Sequence, residues 1–365
     1  VTTLIINPSS IISTYCYSIF RIEVDSSCEN SCIYCYANWY RIENINITKR
    51  HIEEFRKFIQ HISQRFNKIP IFRMSTLVEP FQEKSILRTL HILKLCIKYE
   101  VPLIINTKNI HMLRNEDILN QILKLHDRRL VLIQLSICTI NEELSRKLEP
   151  KAPNPELRLE MLDILKSYGI PTVVRYQPLI PGVCEYEYVD FIKICYQKSI
   201  RHIILEPIRL TRQVLINLSK IVKDLHNVRW IPYSEITKNI LKPCNEWFRD
   251  ILNKILEECD RYGISVATCK DPHINILKNA EDCCGIYLMN SDRILKKATI
   301  YDLKRYNIIC NDIYELLHKL EELSDKYIAI SFIQKLPKEY RKKLKHHYKV
   351  LLNCYRSKNL NVIIC

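Results

Sequence analysis

Six short apolar runs, separated by stretches of helical periodicity, restrict the fold more tightly than any other feature of the chain. They lie at 18–24, 69–74, 101–106, 130–135, 170–176 and 200–205. The first alternates apolar and polar residues. The fourth is almost wholly apolar, as a strand buried on both faces of a parallel sheet must be. Between the runs, Thr48 caps a helix over 49–66 with Phe55, Ile59 and Ile62 on one face. A helix over 86–99 carries the stripe Leu87, Leu90, Leu93 and Ile97, and others follow at 115–125, 155–168 and 188–198. Pro155 opens one of these and Gly169 stops it. Repeated strand–helix units predict an α/β fold with right-handed crossovers. A closed or partial barrel from about 14 to 210 fits this pattern, and so does a doubly wound sheet. Either fold gathers its site where the strands end, and the sequence is polar there: Ser75-Thr76, Thr107-Lys108-Asn109, Ser136, Gln177-Pro178 and Glu206-Pro207.

Composition removes some uses of such a sheet. Only four glycines occur, at 169, 182, 263 and 285, whereas phosphate-cradling loops need several close together. P-loop and dinucleotide sites are therefore excluded. The net charge of +15 and pI near 9.1 favour an anionic partner such as nucleic acid. No apolar run approaches the ~20 residues of a membrane span. Residues 1–20 also lack the basic start and cleavage site of a signal peptide. The expectation is a cytoplasmic setting with no membrane partner, in which the sixteen cysteines stay reduced. Clustered cysteines then read as metal ligands and scattered ones as small buried hydrophobes.

Past 210 the rhythm breaks. Residues 211–260 are mainly helical in pattern, with a short strand at 228–231, and 263–269 reads as one more strand. The tail from 293 is basic and helical. Within it, Leu336, Tyr340, Leu344, Tyr348 and Leu351 form a stripe beside many cations, with His346 and His347 on the solvated basic face. Three segments follow: a barrel core at 1–210, an extension at 211–290 and a basic helical tail at 291–365.

Directly after the first run stands Cys28-Glu29-Asn30-Ser31-Cys32-Ile33-Tyr34-Cys35-Tyr36. This spacing lets one compact loop point three thiolates at one centre. Thiolates are soft ligands that select iron–sulfur clusters, zinc or copper(I). Structural zinc wants four closed ligands, usually in paired units, and no partner pair lies near. Ferredoxin-type runs use two-residue gaps and a fourth cysteine. Three thiolates instead suit a cluster with one iron left open to a ligand.

The C-x3-C-x2-C loop, with an aromatic residue before its last cysteine and a strand before its first, resembles the radical S-adenosylmethionine (SAM) superfamily. Over 18–210 the resemblance is to the spore photoproduct lyase-like branch. Its marks here are Cys32-Ile33-Tyr34-Cys35-Tyr36-Ala37, Glu79-Pro80-Phe81-Gln82, Thr107-Lys108, Leu148 to Pro153 with Glu156-Leu157-Arg158-Leu159, and Arg175 with Pro178 to Gly182. The resemblance implies a partial (β/α)6 TIM-type barrel with a mainly helical C-terminal extension. It implies that Cys28, Cys32 and Cys35 hold a [4Fe-4S] cluster whose open iron chelates SAM. Reductive cleavage of SAM would then give a 5′-deoxyadenosyl radical that abstracts a substrate hydrogen. By position in that family, Tyr34 and Tyr36 flank the adenine, and Ser75 and Thr76 face the amino group. Lys108 pairs with the carboxylate, and Ser136 and Arg175 serve the ribose and carboxylate. An electron donor such as ferredoxin or flavodoxin is implied as a partner.

Departures from the family pattern are informative. Its Gly-Gly-Glu stretch after the second strand is replaced by Met74-Ser75-Thr76. The hydrogen-donating cysteine of the DNA-repair lyase has no equivalent in that region. Cys138 is a substitute donor or a buried structural thiol. Cys269, Cys283 and Cys284, with Cys244, Cys259 or Cys310, are candidates for a second iron–sulfur cluster or simply core cysteines. The alternative function is a non-catalytic metal–sulfur protein that binds nucleic acid through its basic tail.

Overall fold

A computed structural model describes residues 14–39, 48–234, 238–269, 271, 273–356 and 362–364. All six predicted strands are present: β1 (Phe20–Ile22), β2 (Phe72–Met74), β3 (Leu103–Thr107), β4 (Val131–Ile137), β5 (Thr172–Leu179) and β6 (His202–Pro207). Each pairs in parallel with the next in chain order, in register Phe20 to Phe72 to Leu103 to Val131. The connecting helices are α1 (Lys49–Ser63), α2 (Ile86–Lys98), α3 (Glu116–Asp127), α4 (Glu142–Leu148), α5 (Pro155–Ser167) and α6 (Cys184–Gln197). The short helix α4 was not read from the sequence. The run 69–74 is split: Ile69–Pro70 pairs with Ile294–Leu295, and only Phe72–Met74 enters the main sheet.

Two-residue alternation sorts the strand side chains between two cores. Phe72, Leu103, Ile105, Val131, Ile133 and Val174 turn outward and pack on the helices. Ile71, Ile104, Leu132, Val173 and Ile204 turn inward and pack on Tyr17, Ile286, Met289 and Tyr301. That inward layer floors a partial barrel. Outside, Phe20 and Phe55 meet Phe72 at centroid distances of 5.1 and 5.8 Å, tying α1 to the first two strands. Each such ring pair contributes about 0.5–1.5 kcal/mol beyond its buried area.

Two expectations are corrected, at Leu87 and His347. The sheet continues past residue 210 with the strand expected at 263–269. Its seventh strand, β7 (Ser265–Thr268), pairs in parallel with β6, followed by antiparallel β8 (Asn275–Lys278) and then β9 (Val362–Ile364). The open edge of β6 offers hydrogen bonds that the later segments fill. Leu87 is 79% exposed, and α2 instead buries Thr89, Ile92, Leu93 and Cys96. His347 leaves the solvated face of the C-terminal helix Lys338–Arg356 and is buried with Leu344, Tyr348 and Leu351, while His346 stays exposed. Lys358 and most of 1–20 lie outside the described residues. Among the described residues, no helix is long and apolar enough to cross a membrane.

Candidate active site

A single cavity opens where the parallel strands end. Its wall contains Cys28, Cys32, Tyr34, Cys35, Tyr36, Ser75, Thr76, Lys108, Ser136 and Arg175. Cys138 is not in that wall. β4 ends at Ile137, and Ser136 turns to the cavity. The Cys138 thiol is buried behind the cysteine loop beside Tyr34, where burial pushes its pKa up to about 12. Several wall residues escaped the sequence reading as site residues, namely Asn30, Asn106, Ile208 and Arg209. Gln177 and Glu206 had a visible signal, a polar residue closing an apolar run. Arg209 had none, because it lies one loop beyond the strand; its guanidinium stacks between the rings of Tyr36 and Tyr233 at 5.0 and 4.9 Å.

Two buried carboxylates hold the cysteine loop. Glu79 Oε1 accepts from Thr107 Oγ1 at 2.6 Å and Phe81 N at 3.1 Å. Its Oε2 accepts from Lys108 N at 2.8 Å, Asn109 N at 3.3 Å and Asn30 Nδ2 at 3.4 Å. The loop is thereby tied to the end of β3. Gln82 adds two clamps, accepting from Glu29 N at 2.9 Å and donating to Ser27 O at 2.8 Å. So the Glu-Pro-Phe-Gln motif acts as a brace for the loop. Burial raises the Glu79 pKa despite these donors.

Glu149 is the second brace. Its Oε1 accepts from Lys108 Nζ at 2.5 Å and from the Tyr34 hydroxyl, and its Oε2 accepts from Arg158. The Glu149 and Arg158 side chains are fully buried. Burial alone would raise the Glu149 pKa; the charges of Arg158 and Lys108 overcome it and hold the carboxyl well below the usual range. Lys108 therefore has a counter-ion within the protein. Tyr34 likewise directs its hydroxyl to Glu149, leaving its ring as the part available to the cavity.

Ser75 lies at φ +61°, the left-handed region where glycine is at ease, and its N–H donates to Ile22 O at 2.8 Å. The turn at Ser75 is therefore strained. The Ser75 hydroxyl is buried without a hydrogen-bond partner among the described residues. Next to it, Glu23 accepts from Thr76 N at 2.9 Å and Leu77 N at 3.1 Å, and Tyr36 donates to Thr76 O at 2.5 Å.

The proposed second cluster does not fit its residues. Cys283 and Cys284 Sγ lie 3.7 Å apart, and the Arg73 guanidinium donates to Cys284 Sγ at 3.0 Å. A permanent cation already occupies the Cys284 sulfur. Cys259 and Cys310 belong to the outer core, away from this pair. The cysteine loop does suit a cluster. Its three cysteines form no disulfide and line one cavity, which Ser75 Oγ and Asn30 Oδ1 also line as polar atoms with no hydrogen-bond partner among the described residues. Among the described residues no three His, Cys, Asp or Glu are placed to share one metal ion. Cysteines that each bind a different iron of one cluster do not share a single ion, so a single-ion arrangement is not what a cluster requires.

Comparison with known proteins agrees with this geometry. Residues 22–195 match the model of the radical SAM superfamily. An uncharacterized protein of Acidianus two-tailed virus is 23% identical over 171 residues, covering 42% of this chain and 54% of that protein. An uncharacterized protein of Methanocaldococcus jannaschii is 28% identical over 169 residues, covering 44% and 61%. The match thus spans less than two thirds of either relative. Among solved structures, spore photoproduct lyase with dinucleoside spore photoproduct superposes with a TM-score of 0.54 at 14% identity, covering 73% of this chain and 79% of that one. The same lyase with bound AdoMet gives 0.52 at 14% identity, covering 68% and 76%. A three-thiol loop at the mouth of a parallel partial barrel and a family match across that region lead to one conclusion: residues 22–195 are a domain of the radical SAM kind.

Proposed function

We propose that the chain is a radical SAM enzyme in which Cys28, Cys32 and Cys35 hold a [4Fe-4S] cluster and the cavity above them takes SAM. When bound, that pair supplies a 5′-deoxyadenosyl radical able to abstract a substrate hydrogen. The protein's part is to orient and to exclude water. Glu79 and Gln82 fix the loop that carries the thiols, and Glu149 fixes Tyr34 and Lys108 beside it. Ser75 brings an uncommitted hydroxyl to the wall, and Ser136 and Arg175 close the opposite strand ends. One observation carries the reading: three cysteines of one loop and seven further wall residues from five strand ends converge on one cavity. After anaerobic reconstitution, iron and sulfide should each approach four per chain, and dithionite should drive formation of 5′-deoxyadenosine. Cys32→Ala protein that still cleaved SAM would sink the proposal.

A nucleic-acid partner is a second reading, supported by the C-terminal helix. Lys338, Arg341, Lys342 and Lys349 are exposed on it while Leu344, Tyr348 and Leu351 anchor its other side. Deleting this helix would open the core, so the test is neutralisation of those four cations to Gln. Binding to a mixed-sequence duplex should weaken, and its salt slope should fall by about one for each phosphate left without a cation. Unchanged affinity would assign the helix to packing alone.

A further inference from the structure

Below the cavity, the barrel interior holds a polar layer that the proposed chemistry leaves unused. Arg73 is 8% exposed there, on β2. Its Nη1 donates to Asn106 Oδ1 at 2.9 Å and Gln134 Oε1 at 2.7 Å, and its Nη2 to Cys284 Sγ at 3.0 Å. A guanidinium stays charged at any ordinary pH, and burying it without a counter-charge is costly. Among the described residues no carboxylate is hydrogen-bonded to Arg73, and Cys284 is its one partner able to carry a negative charge.

Gln134 passes this arrangement on. Its Oε1 accepts from Arg73 and also from Arg175 Nη1 at 2.8 Å, while its Nε2 donates to Cys284 O at 2.6 Å. With donors on one end and an acceptor on the other, the carboxamide has one orientation. Arg175 reaches from this layer into the cavity wall. Its remaining contact here, with Cys269 Sγ, is long at 3.8 Å.

We propose that Cys284 is a positioning residue: as a thiolate it is the counter-ion of Arg73, and with its carbonyl on Gln134 it fixes how Arg175 meets the cavity. Three features make the thiolate reasonable. The Cys283 thiol, held protonated by its neighbour and by burial, lies 3.7 Å from Cys284 Sγ and 3.6 Å from Tyr15 O, so its one S–H can reach either. When that S–H is turned to Cys284, the hydrogen bond, then the Arg73 and Arg175 charges, outweigh burial and the opposing Asp282 carboxylate and bring the Cys284 pKa down to about 6. Finally, the segment is tied in place, because Cys284 N donates to Asp282 Oδ1 at 2.9 Å and Ile286 N donates to the same oxygen at 3.0 Å.

The inference rests on the SAM reading only where Arg175 meets the cavity, and two readouts keep them apart. In the apo chain under reducing, anaerobic conditions, ultraviolet thiolate absorbance is titrated between about pH 5 and 8. Wild type should show a step that Cys284→Ser lacks, with Cys283→Ala moving its midpoint upward. In the cluster-loaded chain, Cys284→Ser should weaken SAM binding about tenfold, the scale of one charge-assisted hydrogen bond. Cys284→Asp, which keeps an anion, should recover most of it. A step that persists in Cys284→Ser, an unmoved midpoint in Cys283→Ala, or equal affinity in the Ser and Asp variants would overturn the proposal. If Cys284→Ser does not fold, Cys283→Ala decides alone. The titration step without any SAM binding would support the thiolate and count against the enzyme reading instead.

Discussion

Lys108 Nζ lies 2.5 Å from Glu149 Oε1 while Arg158 occupies the other oxygen, so one buried carboxylate is shared between two cations behind the cysteine loop. Glu149→Gln would leave both cations without a counter-charge. It should destabilise the chain by about 3–5 kcal/mol in urea unfolding, the cost of breaking a buried pair from one side.

The same residue sets a pH signature. The Glu149 pKa is lowered on folding, so its contribution is fully present above the ordinary carboxylate value near ~4.3 and is lost as pH falls below it. Thermal unfolding followed down through about pH 4 should therefore fall steeply in wild type and more shallowly in Glu149→Gln.

Glu79→Gln tests the brace between loop and β3. An amide nitrogen there meets donors it cannot accept from. Each stranded buried donor costs about 1–3 kcal/mol, and Asn30 loses its hold on the loop. Reconstituted protein should carry less iron per chain at equal protein, with a lowered unfolding midpoint.

At Ser75 strain and chemistry separate. Ser75→Gly should stabilise the chain by about 1 kcal/mol, because a side chain in the left-handed region is removed. Ser75→Ala keeps the strain and loses the hydroxyl. Both should weaken SAM binding about fivefold, one hydrogen bond's worth, in isothermal titration of cluster-loaded protein.

Gly285→Ala should cost about 2–3 kcal/mol in denaturant unfolding. Its φ is +77°, and a Cβ there would stand 2.5 Å from Val173 Cγ2. Neither the backbone nor the β5 strand has room to yield.

Local order decided what was legible. Alternating apolar runs and helical stripes are properties of neighbours along the chain, so 130–135 announced a buried central strand and Cys28 to Cys35 a three-thiol loop. Wall residues could be named in advance because parallel strands present their C-terminal ends to one place, and polar residues closing the runs marked those ends. Leu87 misled because periodicity gives a stripe but not which of two adjacent stripes meets the sheet.

The sequence by itself determined the strand–helix order, the thiol loop and the strand ends that share a cavity, since each follows from spacing within a few residues. Only the tertiary structure decided partners far apart in the chain. It set Lys108 on Glu149, closed β6 with β7 from beyond residue 260, and turned Cys138 away from the cavity. It also placed Cys284 against Arg73, 211 residues earlier. Such contacts depend on how a curved sheet brings distant segments together and on which charges must neutralise one another once water is gone, and no local pattern records either.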